Sequence, residues 1–213
     1  TTARAQAARA AAEAGAEFGL ARVQSTVPVD AACKTVAGCT GSGTITETST
    51  TYNYTATASG SSTDAYLIDL AKDQTQEIKL DGYTSNGSVK VCWYDPGLDS
   101  SPVNALELIY VDGAGTMNKY AYNGDISLAG NGFTAPPGAG QVSVSGRTVS
   151  FQHCQIVSTP GTPRILRIKA LYNNVSAAVE PQGASLPVQA YRVESIGQTS
   201  DGKRQSFGPK FTV

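Results

Sequence analysis

Seven turn signals punctuate the chain between residues 81 and 202: Asp81-Gly82, Asn86-Gly87, Asp95-Pro96-Gly97, Asp112-Gly113, Asn123-Gly124, Asn131-Gly132 and Asp201-Gly202. Asn-Gly and Asp-Gly steps supply the positive-φ positions that tight hairpins need. Between them lie short runs rich in β-branched and aromatic residues, and nothing after Pro28 keeps a helical period. The runs begin with 44–58 and include 65–70, 76–80, 88–94, 105–111, 119–122, 141–144, 148–157, 164–172, 188–196 and 205–213. Ten or eleven strands at this spacing predict an antiparallel β-sandwich or jelly-roll-like fold. Segments 105–111 and 164–172 are the densest in Leu, Ile and Tyr, which places them at a sheet centre. Residues 30–43 read as a turn-rich connection, and 124–140, rich in Gly and Pro, as a long surface loop.

The first 27 residues follow another rule. Ten alanines lie between Ala3 and Ala21, and no proline interrupts before Pro28. Alanine is the strongest helix former, so this segment is one helix, about 35–40 Å long at 1.5 Å per residue. Gln6, Arg9, Glu13 and Glu17 fall on one face, making the helix amphipathic, with Arg9 and Glu13 spaced for an i,i+4 ion pair. The other faces are nearly all alanine, joined by Phe18, Leu20 and Val23. Alanine buries little area but lets another backbone come close. Two readings follow: a helix packed on its own sheet, or one that packs against copies of itself. The fold class is therefore α+β, mainly β, with a helix over 1–27 and a single β-rich head over 28–213.

Composition narrows the function. Of 213 residues, 22 are Gly, 22 Thr and 20 Ser, and only 15% are charged. Sixteen basic residues against seventeen acidic ones leave a net charge of −1, with no electrostatic footprint for nucleic acid. No run of eighteen apolar residues is present. The only methionine is Met117, so the chain is expected to be a processed or trimmed piece.

The four cysteines are Cys33, Cys39, Cys92 and Cys154. The simplest of three pairings is Cys33–Cys39 with Cys92–Cys154, and disulfides imply an oxidising, extracytoplasmic setting. A zinc site is the alternative, but no Cys-x2-Cys is present and His153 is the sole histidine. His153 and Cys154 are strand neighbours, which point to opposite faces and form no dyad. No nucleophile elbow, zinc-protease helix or phosphate-binding loop appears. An enzyme is not expected, and no cofactor is called for. Asp64, Asp69, Asp73, Asp95, Asp99, Asp112 and Asp125 leave room for a loop Ca²⁺ site, but none fits the EF-hand spacing, and solvated turn caps explain them better. Trp93 and the ten tyrosines serve either as a carbohydrate platform or, the better reading for Trp93, as core.

The stretch Arg9-Ala-Ala-Ala-Glu-Ala-Gly-Ala-Glu-Phe-Gly-Leu-Ala resembles the segment of bacterial type IV pilin-like proteins, especially PilX-type minor pilins, that follows the membrane-spanning part of their N-terminal helix. The resemblance covers about thirteen residues. It implies a structural subunit of an extracellular type IV pilus or related filament at the cell surface. Its partners would be other pilin subunits, in a homo- or hetero-polymer, and the full-length form would be membrane-anchored before assembly. Ala7, Ala10, Ala11, Ala14 and Phe18 would form the assembly face, with Arg9 and Glu13 as its ionic pair. The hydrophobic half-helix and the acidic residue that the family carries near its start are not in this sequence. The head exceeds the usual four- or five-stranded pilin sheet, and the family's cysteine pair near the C-terminus is missing. The larger head leaves room for a second reading, a secreted β-sandwich adhesin or carbohydrate-binding module.

Overall fold

The computed structural model describes residues 2–35, 37–60, 63–84, 86–144, 146–207 and 210–212. In chain order the first elements are α1 (Thr2–Gln24), β1 (Cys39–Ile45), β2 (Thr50–Ser59), β3 (Tyr66–Leu70), β4 (Thr75–Lys79), β5 (Gly87–Trp93), β6 (Ala105–Asp112) and β7 (Met117–Asn123). They are followed by β8 (Gly140–Val144), β9 (Arg147–Phe151), β10 (His153–Thr159), β11 (Pro163–Leu171), β12 (Val175–Gln182), β13 (Ala190–Gln198), β14 (Arg204–Phe207) and β15 (Lys210–Thr212). Short 3₁₀ turns cover Pro28–Lys34, Thr46–Thr48 and Ile126–Leu128. One helix and a set of antiparallel sheets make the chain α+β and mainly β, as its sequence predicts.

The contacts group into two compact units that cut across the 1–27 and 28–213 division. One comprises 1–61 and 188–213, the other 62–187. The reason lies in strand pairing: β13, late in the chain, pairs along its length with β2, so both ends of the chain belong to one unit.

The first unit is α1 on a sheet of order β1-β2-β13-β14, with β15 also on β13. Side chains in β2 alternate, so Tyr52, Tyr54, Ala56 and Ala58 are buried while Thr51, Asn53 and Thr55 face out. The predicted strand over 44–58 is broken by the turn at Thr46–Thr48, where Ser49 takes a left-handed conformation. The 30–43 segment, read as a connection, contains most of β1. Its glycines look unlike a strand in sequence, yet Gly43 pairs with Tyr52 and Gly41 with Tyr54. A Cβ at either glycine would lie 2.3–2.5 Å from the tyrosine ring or hydroxyl, so the rings lie across a strand that only glycine leaves open. The expected strand over 205–213 is β14 and β15, with 208, 209 and 213 outside the described residues.

The second unit is a jelly roll. Its sheets have the orders β10-β5-β12-β3 and β4-β11-β6-β7. Pairing is nested: β3 with β12, β4 with β11, β5 with β10 and β6 with β7. Such nesting is a long hairpin wrapped into a sandwich. Segments 105–111 and 164–172 supply β6 and β11, the two inner strands of the second sheet. Between the sheets lie Trp93, Val89 and Val91 from one side and Leu106, Leu108, Tyr110, Leu166 and Ile168 from the other. Trp93 is fully buried, so it anchors the core and offers no exposed platform. The β8–β9 hairpin covers the outer side of the first sheet, packing Val142 and Phe151 on Cys92 and Ala178.

Both disulfides form with the simplest pairing, Cys33–Cys39 and Cys92–Cys154. They mark an oxidising, extracytoplasmic compartment. Among the described helices none is long and apolar enough to cross a membrane.

Candidate functional site

The sequence places its candidate site on α1. The helix buries two i,i+4 rows: Ala8, Ala12 and Ala16, and Ala11, Gly15, Gly19 and Val23. This stripe seats on β2 and β13. A Cβ at Gly15 would stand 2.2 Å from Ser195 Oγ and 2.8 Å from Tyr52 Cδ2, and one at Gly19 would stand 2.6 Å from Val193 Cγ1. From the sheet side, a Cβ at Gly197 would stand 1.9 Å from the Ala8 carbonyl oxygen. Glycine faces helix backbone here, and the separation is too small for any side chain. Of the two readings of the alanine surface, packing on the chain's own sheet accounts for this face.

The predicted assembly residues are therefore divided. Ala11 is fully buried against Tyr52 and Tyr54, so it belongs to the chain's own core and is corrected from the assembly face. Its physical reason is that Ala11 heads the Gly15–Gly19 row. Ala10 is exposed, Ala7 and Ala14 are half-buried, and Phe18 is 58% exposed with its ring centroid 6.1 Å from that of Tyr52. Ala3, Ala7, Ala10, Ala14, Phe18 and Ala21 follow a 3–4 spacing and make a second stripe turned away from the buried one. Arg9 and Glu13 pair at 2.9 Å on the solvent side, as their spacing predicts. The sequence reading missed Gly15, Gly19 and Gly197. The Gly-x-x-x-Gly spacing at 15 and 19 was a usable signal, whereas Gly197 carries none without its strand partner.

Charged groups hold the ends of α1. Arg22 Nε donates to Asp30 Oδ1 at 2.5 Å, and its Nη1 donates to the Tyr54 hydroxyl at 3.2 Å. The Ser25 hydroxyl and the Arg22 guanidinium hold the Asp30 carboxyl below the ordinary range. At the other end Arg4 pairs with Asp201 at 2.6 Å, and Thr199 and Arg4 lower that carboxyl too. In the jelly roll, the Ser127 hydroxyl and N–H lower Asp125. Burial pushes Glu180 up, but Lys90 and the Ser143 N–H outweigh it and leave it lowered.

These directions fix the sign of a pH effect. A carboxylate lowered by folding contributes stability above its unfolded pKa, about 4, and that contribution is lost as pH falls through the folded value. Thermal melts are expected to be flat from about pH 7 to 5 and to drop below about pH 4. Asp30→Asn should melt lower than wild type at pH 7 and lose less on acidification. Equal acid loss in the two proteins would count against this role for Asp30.

Other aspartates organise turns or tie neighbouring strands. Asp95, Asp112 and Asp125 accept from N–H groups of their own turns, and Asp99 accepts from the Asp95 and Ser176 N–H groups. Among the described residues no three His, Cys, Asp or Glu side chains converge as a metal site. His153 is half-buried between the rings of Trp93 and Tyr94, with Nδ1 3.0 Å from the Pro137 carbonyl oxygen, and its neighbour Cys154 is in a disulfide.

No family model and no curated protein matches the chain. Among solved structures, a mitogen derived from Yersinia pseudotuberculosis is similar over 56% of this chain and 85% of its own, at 11% identity and a TM-score of 0.29. A likeness that slight carries no functional argument.

Proposed function

We infer that this chain is a structural subunit of an extracellular filament of the type IV pilus class, assembled through α1. The observation that carries the reading is the two-sided helix. One stripe is used up on the chain's own sheet, while Ala3, Ala7, Ala10, Ala14 and Ala21 leave a second small-residue stripe, with Phe18 exposed within it. Small residues let helix backbones approach closely, which is what packing of many copies around one axis requires. The resemblance of residues 9–21 to pilin-like helices supports the same reading, as do the low charge of the chain and its disulfides. The binding-module reading keeps the jelly roll as its support, but not Trp93, which is core.

Two measurements test this. The native form extracted from the producing cell surface should carry about 20 apolar residues before Thr1, the length needed to span a bilayer. Ala10→Leu and Ala14→Leu should abolish filament incorporation while leaving the melting temperature within about 1–2 °C of wild type. Normal incorporation of both variants, or a secretory signal cleaved just before Thr1, would end the filament reading and leave the secreted binding module.

A further inference from the structure

The outward face of the second jelly-roll sheet carries a cluster of charges. Two rows of side chains cross it. One runs Glu77, Arg167, Ile109 and Lys119, and the next runs Thr75, Lys169, Glu107 and Ala121. Between the rows lies an open groove of about 450 Å³ lined by Thr75, Glu77, Glu107, Ile109, Arg167 and Lys169. That volume lies in the lower half of the range of small-molecule sites, and the groove is open to solvent.

The pairing inside the groove is incomplete. Arg167 Nε donates to Glu77 Oε1 at 2.7 Å, and Lys119 Nζ pairs with Glu107 Oε2 at 2.5 Å. Lys169 makes no ion pair among the described residues, although Glu107 stands directly across the strand. The lining itself holds two cations, Arg167 and Lys169, and two carboxylates, Glu77 and Glu107; Lys119, outside the lining, takes up Glu107 and so leaves Lys169 without an ionic partner among the described residues. A guanidinium engaged through Nε keeps its Nη hydrogens for other acceptors, and each paired glutamate keeps an oxygen that accepts. Ile109 lies between them as an apolar floor.

We propose that this groove binds a hexuronate residue of a glycan. Its carboxylate pairs with the Lys169 ammonium and the free edge of Arg167. Its hydroxyls donate to Glu77 and Glu107 and exchange hydrogen bonds with Thr75, and its C–H face lies on Ile109. The two glutamates decide against a phosphate or a nucleic acid, because a second or third negative charge meets a carboxylate on either side, whereas sugar hydroxyls satisfy both. A neutral sugar leaves Lys169 without its anion. The site stands on paired strands, so its side chains start from fixed positions before the ligand arrives. This inference does not depend on how α1 assembles.

The test is a titration of the full chain followed by backbone amide NMR. Two tetrasaccharides serve as probes, one alternating glucuronate with N-acetylglucosamine, the other made of mannuronate. Shifts are expected at residues 75–77, 107–109 and 167–169 with either probe. The tighter of the two separates an animal-matrix source from a bacterial-polysaccharide source. Lys169→Met and carboxyl-reduced probes should each weaken binding by about tenfold or more, the size of one lost charged hydrogen bond. Lys72→Met, outside the groove, should bind as wild type. Equal binding of the reduced probes, unchanged binding by a folded Lys169→Met, or no shifts with either probe would overturn the proposal.

Discussion

Gly197→Ala is expected to unseat α1 and to destabilise the first unit by about 3 kcal/mol, the upper end of overpacking effects. The added methyl would stand 1.9 Å from the Ala8 carbonyl oxygen and 2.6 Å from the Ala12 nitrogen. These two atoms are the acceptor and donor of one i→i−4 helical hydrogen bond, so the clash falls on helix backbone. Gly15 differs, because its nearest obstacles are the side chains of Ser195 and Tyr52. A side chain can turn aside, whereas the Ala8–Ala12 turn moves only if the whole helix lifts. Lifting it would expose Ala11, Ala16 and Val23 and the faces of Tyr52 and Tyr54. Hydrogen exchange should show faster exchange at Ala11–Val23 while β5, β6, β11 and β12 keep their protection. Gly138 has open space around its Cβ direction, and Gly138→Ala should change stability by less than about 0.5 kcal/mol. If Gly197→Ala exchanges like Gly138→Ala, the close seat of the helix is wrong.

Removing the Cys92–Cys154 bridge is the second large effect. Its cysteines are 62 positions apart, and loop-closure entropy for that length is worth roughly 4 kcal/mol; the Cys33–Cys39 bridge, 6 positions apart, is worth roughly 2 kcal/mol. Position adds to the difference. Cys92 joins the inner strand β5 to the edge strand β10, and the bridge lies beneath Val142 and Phe151 of the β8–β9 hairpin. Cys92→Ala with Cys154→Ala should therefore lower the denaturant midpoint more than Cys33→Ala with Cys39→Ala. It should also speed exchange first at the hairpin amides of 140–151. Reductant on the wild type opens both bridges and should cost at least the larger loss. A melt unchanged by reductant, or the opposite order of the two double variants, would refute this assignment.

Much of the architecture is legible in local chemistry. The alanine block has one good conformation, and the helix over 2–24 follows from it. The turn dipeptides and alternating runs give most strands, and the apolar density of 105–111 and 164–172 marks the inner strands of one sheet. What escaped is instructive in each case. Strand β1 reads as a turn because Gly41 and Gly43 lower strand propensity, and their reason for being there is a pair of tyrosines on β2. Ala11 reads as one alanine among ten, and only its seat on Tyr52 and Tyr54 removes it from the assembly face.

The sequence by itself determines the helix, most of the strands, the extracytoplasmic chemistry of the cysteines and the Arg9–Glu13 pair, because propensity, turn geometry and i,i+4 spacing act within a few residues. Tertiary structure alone decides which stripe of α1 is used up on the chain's own sheet, that segments from both ends of the chain form one unit, and that Glu77, Arg167, Ile109, Glu107 and Lys169 meet in one groove. Those outcomes depend on pairings between strands such as β2 with β13 and β4 with β11, whose partners lie roughly 90 to 140 residues apart, where no local periodicity reaches.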